Sequence, residues 1–317
     1  FLVNIPIGIA AIIAGWFLIP RLPGHAELRN DYAGIALFGL GIVAVVFPII
    51  EGRALDWPVW SFAMMAAGLS LLVVFYFWQK RRARAGQPQL LNYDLLANRD
   101  YMFGAFIVTV FASGIPGFFL VISLLLQSGF GFTPLQSGLT NLPFSVGVLI
   151  ASFIVARFGA HYLRSRLAVA AGMVSFGIGW LHFVVAGTGT TIDPWSFLMP
   201  LLIAGIGLGT GFSSLFQLVL RNVPPRDAGA GSGALQAFQQ VGGALGVALV
   251  GQIFFSQLAG NLAAGDGPQA AFGDAAALAM WYQVVSFALV LALAFVFKGN
   301  RRVTEGQENA RAAVAEV

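Results

Sequence analysis

The sequence contains no cysteine, which excludes a disulfide framework, a thiolate metal site and catalysis by a thiol. Charge is nearly as scarce: only 9% of the 317 residues are Asp, Glu, Lys or Arg. Lysine occurs twice, at Lys80 and Lys298, each flanking an apolar run, so a buried Schiff base of the retinal type has no candidate. No HExxH pattern is present for a membrane zinc protease, and no GxxxxGK[ST] pattern for nucleotide hydrolysis. Acidic residues are missing from the interior of every apolar run; Asp31, Glu51 and Asp227 come closest. Amides and hydroxyls therefore supply most of the intramembrane polarity, and they orient ligands but do not exchange protons at ordinary pH.

What fills the chain is apolar: 58% hydrophobic residues and a mean hydropathy of +0.83, far outside soluble globular usage. The expected fold class is all-α, a polytopic transmembrane helix bundle. Nine spans are expected, at 1–20, 31–50, 60–79, 101–126, 138–156, 167–186, 196–220, 228–255 and 277–297. Each is near the roughly 20 residues that cross a bilayer core of about 30 Å. With the loops placed on alternate sides, sixteen of the seventeen Lys and Arg fall on one side and only Arg53 on the other. The positive-inside rule makes the crowded side cytoplasmic. The basic residues punctuate spans instead of forming a soluble basic domain, so a sequence pI near 9.8 reports topology and no nucleic-acid partner is expected. The chain opens at Phe1, already inside an apolar run, and is expected to be a piece of a longer protein, this piece starting outside and ending inside.

The longest internal cytoplasmic connection, 80–100, carries five basic residues and the run LLNYDLLANRDY, whose pattern fits a helix lying on the membrane surface. The stretch 221–251 is the most informative. It is apolar enough to span, yet it holds seven glycines. At 100° per residue Gly229, Gly233, Gln236, Gln240, Gly243 and Gly251 share one face, with Phe238, Val241, Leu245 and Leu249 opposite. Small residues permit close helix approach and buried amides need protein partners, so the Gly/Gln face is expected to look inward and the Phe/Leu face to lipid. Prolines interrupt spans at Pro6, Pro48, Pro116, Pro143 and Pro200. The run Gly114-Ile115-Pro116-Gly117 is the expected break or kink in the fourth span, and Gly205, Gly207, Gly209 and Gly211 crowd two faces of the seventh. His182, alone in the sixth span, reads as a hydrogen-bonded interface residue. Its pairing with Gly211-Phe212-Ser213-Ser214 is a weak case for an intramembrane hydrolase, because Ser beside Gly is commonplace in packed membrane helices.

Three motifs, in order, carry a resemblance: Phe1-Leu2 with Asn4-Ile5-Pro6-Ile7-Gly8; Thr133-Pro134-Leu135-Gln136-Ser137-Gly138 followed by Leu142-Pro143; and Gln239-Gln240-Val241-Gly242-Gly243-Ala244-Leu245-Gly246-Val247-Ala248. The chain resembles the fourteen-helix drug:proton antiporters of the EmrB/QacA type, a branch of the major facilitator superfamily. The resemblance implies that 1–20 is the last helix of an amino-terminal six-helix half and that 21–79 is an inserted helix pair. It further implies a cytoplasmic linker at 80–100, a second six-helix half at 101–297 and a cytoplasmic tail at 298–317. Alternating access, a small amphiphilic substrate, protons as coupling ion and a plasma-membrane location are also implied, with the coupling residues in the missing part. The second-half loop motif is degenerate here, Arg157-Phe158-Gly159-Ala160-His161-Tyr162-Leu163-Arg164, with no Asp before its Arg.

On that basis Phe111, Phe118, Phe119, Asn141, Phe212, Phe216, Gln217, Gln236 and Gln240 are the candidate cavity-lining residues. Gly114, Pro116, Gly117, Gly205, Gly209, Gly229, Gly233 and Gly243 are the candidate packing and hinge positions. Aromatic faces and amides without an acid suit bulky amphiphiles. No enzyme activity, cofactor or metal is expected. Export of a dedicated metabolite, peptide or siderophore on the same scaffold is the alternative, and a non-transporting membrane sensor or a passive channel are competing classes.

Overall fold

The computed structural model describes residues 4–18, 31–52, 55, 57–159, 162–187, 189, 191–221, 223–224 and 227–296. Ten α-helices account for nearly all of them: α1 (Asn4–Leu18), α2 (Tyr32–Glu51), α3 (Val59–Arg84), α4 (Tyr93–Ala97), α5 (Arg99–Ser123), α6 (Pro134–Phe158), α7 (Leu163–Ala186), α8 (Leu198–Leu220), α9 (Ala228–Ala263) and α10 (Pro268–Val296). A π-helical turn, Leu124–Gly129, continues α5, and a 3₁₀ turn, Pro194–Phe197, leads into α8. No strand occurs among the described residues. Eight of the helices are long and apolar enough to cross a membrane, and α1 is apolar but shorter as described. The polytopic helical bundle expected from composition is the observed architecture.

The helix boundaries follow local chemistry. Thr133 and Gln136 form a reciprocal capping box at the start of α6, with Pro134 at the first helical position, where its missing N–H costs nothing. Asn98 caps α5 by accepting the Asp100 and Tyr101 N–H groups. Arg164 donates to the carbonyls of Ala294 and Phe295, the last of α10, which satisfies acceptors that a helix end leaves open. Two helices outrun the hydropathy signal: α9 continues to Ala263 and α10 begins at Pro268, against expected limits of 255 and 277. Gln257 donating to Asn261 on the extended part of α9 shows a polar helix face at work beyond the apolar run.

Helices α5 to α10 form one body. α5 packs on α9, α7 and α6 each pack on α8, and α10 sits against α5, α7 and α9. Its core is built from close backbone approach. On α8 a Cβ at Gly205 would strike the Phe144 carbonyl and one at Gly209 the Ala151 methyl, both on α6, while Gly207 faces Ala170 and Val174 of α7. Such contacts replace the hydrophobic driving force that hydrocarbon surroundings remove. α2 and α3 pair with each other, α2 also touching α9, and α1 is exposed along its length with only Gly15 half-buried.

The 80–100 connection corrects an expectation. It does not present its apolar face outward: Leu91 and Leu95 are buried in the core at 3% and 4% exposure. Tyr93 meets Tyr76 of α3 hydroxyl to hydroxyl at 3.2 Å, and Asn92 donates to Asp227 at 3.2 Å. The amphipathic pattern was real, but its partner is protein. Arg21, Arg29, Arg53, Arg226 and the 298–317 tail lie outside the described residues.

Candidate functional site

The proline of the fourth span organises the region of interest, although α5 runs on as one helix from Arg99 to Ser123 and is not broken there as expected. Within α5, Pro116 leaves the Ala112 carbonyl without its usual helical donor. Around it α5 is held on two sides. Gly114 faces the Phe287 ring of α10, and Gly117 faces Val250 and the Gly246 carbonyl of α9. Tyr282 of α10 donates its hydroxyl to Ser113 at 3.0 Å, and Ser113 donates on to the Val110 carbonyl at 2.8 Å. Gln283, also on α10 and fully buried, accepts the Phe118 N–H at 3.2 Å when its amide nitrogen is turned toward the Ala279 and Met280 carbonyls. The crevice beside this turn, lined by Gly114, Ile115, Phe118, Phe119 and Phe144 among others, has a volume of only about 10 Å³. The turn is thus closely packed, with α9 and α10 held against it by the contacts of Gly114, Gly117, Ser113 and Phe118.

Its other side is open. Pro116 and Phe119 are exposed on α5, and Gln236 and Gln240 are exposed on α9. Gly243 belongs to the same face, the position of its absent Cβ lying 3.4 Å from Pro116 Cγ. This corrects the reading of α9. Gly229 and Gly233 approach no other helix, since a Cβ at either would meet nothing within 4 Å. The glycines that permit close approach are Gly242 against Thr109 and Gly246 against Ser113. Phe238, assigned to lipid, packs on the core instead, and its carbonyl accepts a hydrogen bond from the Thr109 hydroxyl at 3.4 Å. Residues 231, 235, 242 and 246 share the packed face at helical spacing, about half a turn from Gln240.

The aromatic candidates divide. Phe111 is fully buried, edge-on to Phe287 at 5.2 Å and tilted to Phe212 at 6.2 Å, and Phe118 is 2% exposed. These two are core residues. Phe119 packs on Phe144 at 5.0 Å while leaving 37% of its surface exposed, and Phe212 stacks on half-buried Phe216 at 4.8 Å. Gln217 donates to Ser213 at 3.1 Å. Asn141 donates to the Ser137 carbonyl at 2.9 Å, and its buried Oδ1 has no partner. The nine candidates therefore occupy several surfaces, with Phe119, Gln236 and Gln240 on the open one. His182 bonds through Nδ1 to the Ala277 carbonyl at 2.8 Å and packs on Trp281, an interface between α7 and α10. Among the described residues no group of three or more His, Asp or Glu is placed to hold a metal ion.

Two polar features escaped the sequence reading. Gln283 gave no signal, being one amide in an apolar helix. Asp31 was noted only as lying near an apolar run. It is 4% exposed, caps α2 by accepting the Gly34 N–H at 2.9 Å, and accepts from Trp78 at 3.2 Å and Gln79 at 3.0 Å. Arg82 Nε lies 3.6 Å from its Oδ2.

The Major Facilitator Superfamily model matches residues 7–247. A Streptomyces coelicolor protein named as an actinorhodin transporter is 32% identical over 81% of this chain and 45% of its own length. A Cronobacter sakazakii protein named as the multidrug resistance protein MdtD is 28% identical over 94% of this chain and 60% of its own. An uncharacterised MFS-type transporter of Mycobacterium tuberculosis is 28% identical over 84% and 45%. The chain spans about half the length of the curated relatives it matches. With three quarters of its residues inside the family match and its helices packed as a membrane bundle, the chain belongs to the Major Facilitator Superfamily, a family of membrane transporters and not of enzymes.

Proposed function

We propose that this chain is part of a proton-driven secondary transporter that exports lipophilic amphiphiles by alternating access. In this reading 101–297, containing α5 to α10, is the second six-helix half, α1 closes the first half, and α2 and α3 are the inserted pair. The arginine-rich ends of the helices lie in the cytoplasm, the tail at 298–317 is cytoplasmic, and the membrane is the plasma membrane.

The observation that carries the reading is the open face of Pro116, Phe119, Gln236, Gln240 and Gly243. Amides on a membrane helix require protein or water beside them, because hydrocarbon offers no hydrogen-bond partner. A second half-transporter across a substrate cavity supplies both. The face combines an aromatic ring with uncharged amides beside a helix that carries an internal proline, a surface on which a bulky amphiphile binds without a fixed ionic partner. Carboxylates among the described residues sit at or within two turns of helix ends, so protons are carried by groups elsewhere in the intact protein.

Intact protein reconstituted into vesicles with an acidic interior tests this. Addition of a lipophilic cation should release protons, read as recovery of a quenched pH dye, in protein-containing vesicles only. No recovery with any amphiphile would refute drug:proton antiport. The similarity to a protein named for actinorhodin supports a second reading, export of one dedicated metabolite, in which a single compound class moves and common drugs do not.

A further inference from the structure

Helices α6 and α7 are consecutive in the chain, yet both pack against α8 and scarcely on each other. Between them opens a cleft of about 330 Å³ whose floor is α8. Its walls are apolar: Ile154 and Phe158 from α6, Val169 and Met173 from α7, and Ile206 from α8. Its mouth is largely aromatic and aliphatic, with Tyr162 at 78%, Val169 at 63% and Phe158 at 53% exposure. Such a rim faces acyl chains.

Four side chains with polar groups interrupt this lining, namely Tyr162, Ser165, Arg166 and Thr210. Arg166 is anchored through one end of its guanidinium, which donates to the Gly159 carbonyl at the end of α6, where Gly159 takes a positive φ of 53°. Its Nε and Nη2 are buried without a partner, as is the hydroxyl oxygen of Thr210, a residue only 8% exposed. Unpaired donors away from water are costly, and a cation more so. Nε and Nη2 form the side edge of the guanidinium, whose two parallel N–H groups match two oxygens of a phosphate. In depth, Arg166 lies in the first turn of α7, at the arginine-rich end. Thr210 lies one turn deeper, level with Ala170, whose methyl is 3.3 Å from a Cβ at the neighbouring Gly211, and Ile206 is a further turn, about 6 Å, deeper along α8 at 1.5 Å per residue. A polar head at the shallow end and an apolar trough leading toward the bilayer centre is the layout of a lipid.

We propose that the α6–α7 cleft is a binding site for an anionic phospholipid, its phosphate held by the Nε and Nη2 edge of Arg166 with Ser165 beside it and one acyl chain laid over Ile206 and Thr210. Charge complementarity selects an anionic lipid over a zwitterionic one, since the cleft offers one cation, Arg166, with hydroxyls and no carboxylate. The site is separate from the open α5–α9 face and does not depend on the transport reading.

The test uses intact protein, delipidated in neutral detergent and titrated with phosphatidylglycerol, with phosphatidylcholine of the same chains, and with inorganic phosphate. Bound lipid is read by native mass spectrometry and thermal stability by the melting midpoint. Phosphatidylglycerol should bind saturably and raise the midpoint, and the other two should not. Arg166→Gln should weaken this binding about tenfold or more, the scale of a lost charge-assisted hydrogen bond. Val169→Trp, at an exposed position on the mouth, should block it without touching the arginine, and so serves if Arg166→Gln fails to fold. Arg157→Gln, exposed at the end of α6 and outside the cleft, should leave it intact. Equal binding of the two lipids, equal loss in Arg157→Gln, or retention in Val169→Trp would overturn the proposal. A midpoint shift with inorganic phosphate alone would also overturn it, by assigning Arg166 to a free anion.

Discussion

With its amide nitrogen on the Ala279 and Met280 carbonyls, Gln283 accepts the N–H of Phe118 at 3.2 Å, two residues beyond Pro116, so the amide of one helix is bonded into the backbone of another at the turn that carries the proline. Neither residue announces the pairing in sequence. With Tyr282 donating to Ser113, α10 grips α5 on both sides of the proline. Gln283→Leu keeps the volume and removes the bond. A loss of about 0.6 to 1.7 kcal/mol is expected, the range for interhelical hydrogen bonds in membranes. Thermal unfolding of purified protein measures it. Gln283→Glu should be worse than Leu, because a carboxylate there is fully buried with only one donor facing it. Equal stability of wild type and Gln283→Leu would show that the amide is a bystander.

Asp31 and Arg82 join the start of α2 to the end of α3, and the acid is over 90% buried with three further donors around it. Removing one member of such a pair strands the other groups. Asp31→Ala is expected to cost about 3 to 5 kcal/mol. Arg82→Gln should cost less, since Trp78, Gln79 and the Gly34 N–H still satisfy the carboxylate. Proteolysis at the α2–α3 connection and yield after size-exclusion chromatography rank the variants. If both are equally mild, the cluster is not what holds this helix pair together.

How much of this was written in the sequence depends on the kind of force involved. Spans were legible because about twenty apolar residues are a condition for crossing hydrocarbon, and α2, α3, α5 and α8 fall where hydropathy puts them. The packed face of α9 was not legible. The wheel of 229–251 contains two glycine faces, and the amide-bearing one drew attention, although Gly242 and Gly246 make the close contacts with α5. Hydropathy does not say which small face meets a helix and which meets open space. The buried Phe111 and exposed Phe119 illustrate the same limit: eight residues apart on one helix, equally apolar, and separated only by what α10 and α6 place beside them. The linker run 90–101 was recognised as amphipathic, but an apolar stripe fits a protein groove as well as a membrane surface.

Orientation is open to direct chemistry, because a chain without cysteine accepts single labels. Ser128 and Ser256 are exposed at one end of the bundle, and Ala83 and Ser165 lie at the arginine-rich end. In intact cells an impermeant thiol reagent should modify Cys at 128 and 256 and leave 83 and 165 untouched until the membrane is opened. The reverse pattern would invert the topology. The sixteen-to-one distribution of basic residues makes such an inversion a contradiction of the positive-inside rule itself.

The sharpest contrast lies within α9. A Cβ at Gly246 would run into the Ser113 carbonyl and one at Gly242 into that of Thr109, both backbone atoms that cannot swing aside. Gly246→Val therefore has to push α5 and α9 apart along their whole contact. Overpacking of this kind costs about 1 to 3 kcal/mol where side chains can adjust, and backbone contact puts this variant at the upper end or beyond. Gly233 meets nothing within 4 Å, so Gly233→Ala adds a methyl without a clash and removes glycine's helix penalty of about 1 kcal/mol. Gly243, 3.4 Å from a single proline carbon, is intermediate: Gly243→Ala should fold normally, whereas Gly243→Leu should fold but fill the open face beside Pro116. Expression and melting temperature should rank Gly233→Ala at or above wild type, Gly243→Ala close to it and Gly246→Val far below. Export assays on the intact protein then separate folding from use of the surface, since Gly243→Leu is expected to lower export while leaving yield unchanged. A Gly246→Val protein as stable as Gly233→Ala would mean that α5 and α9 are not packed as described.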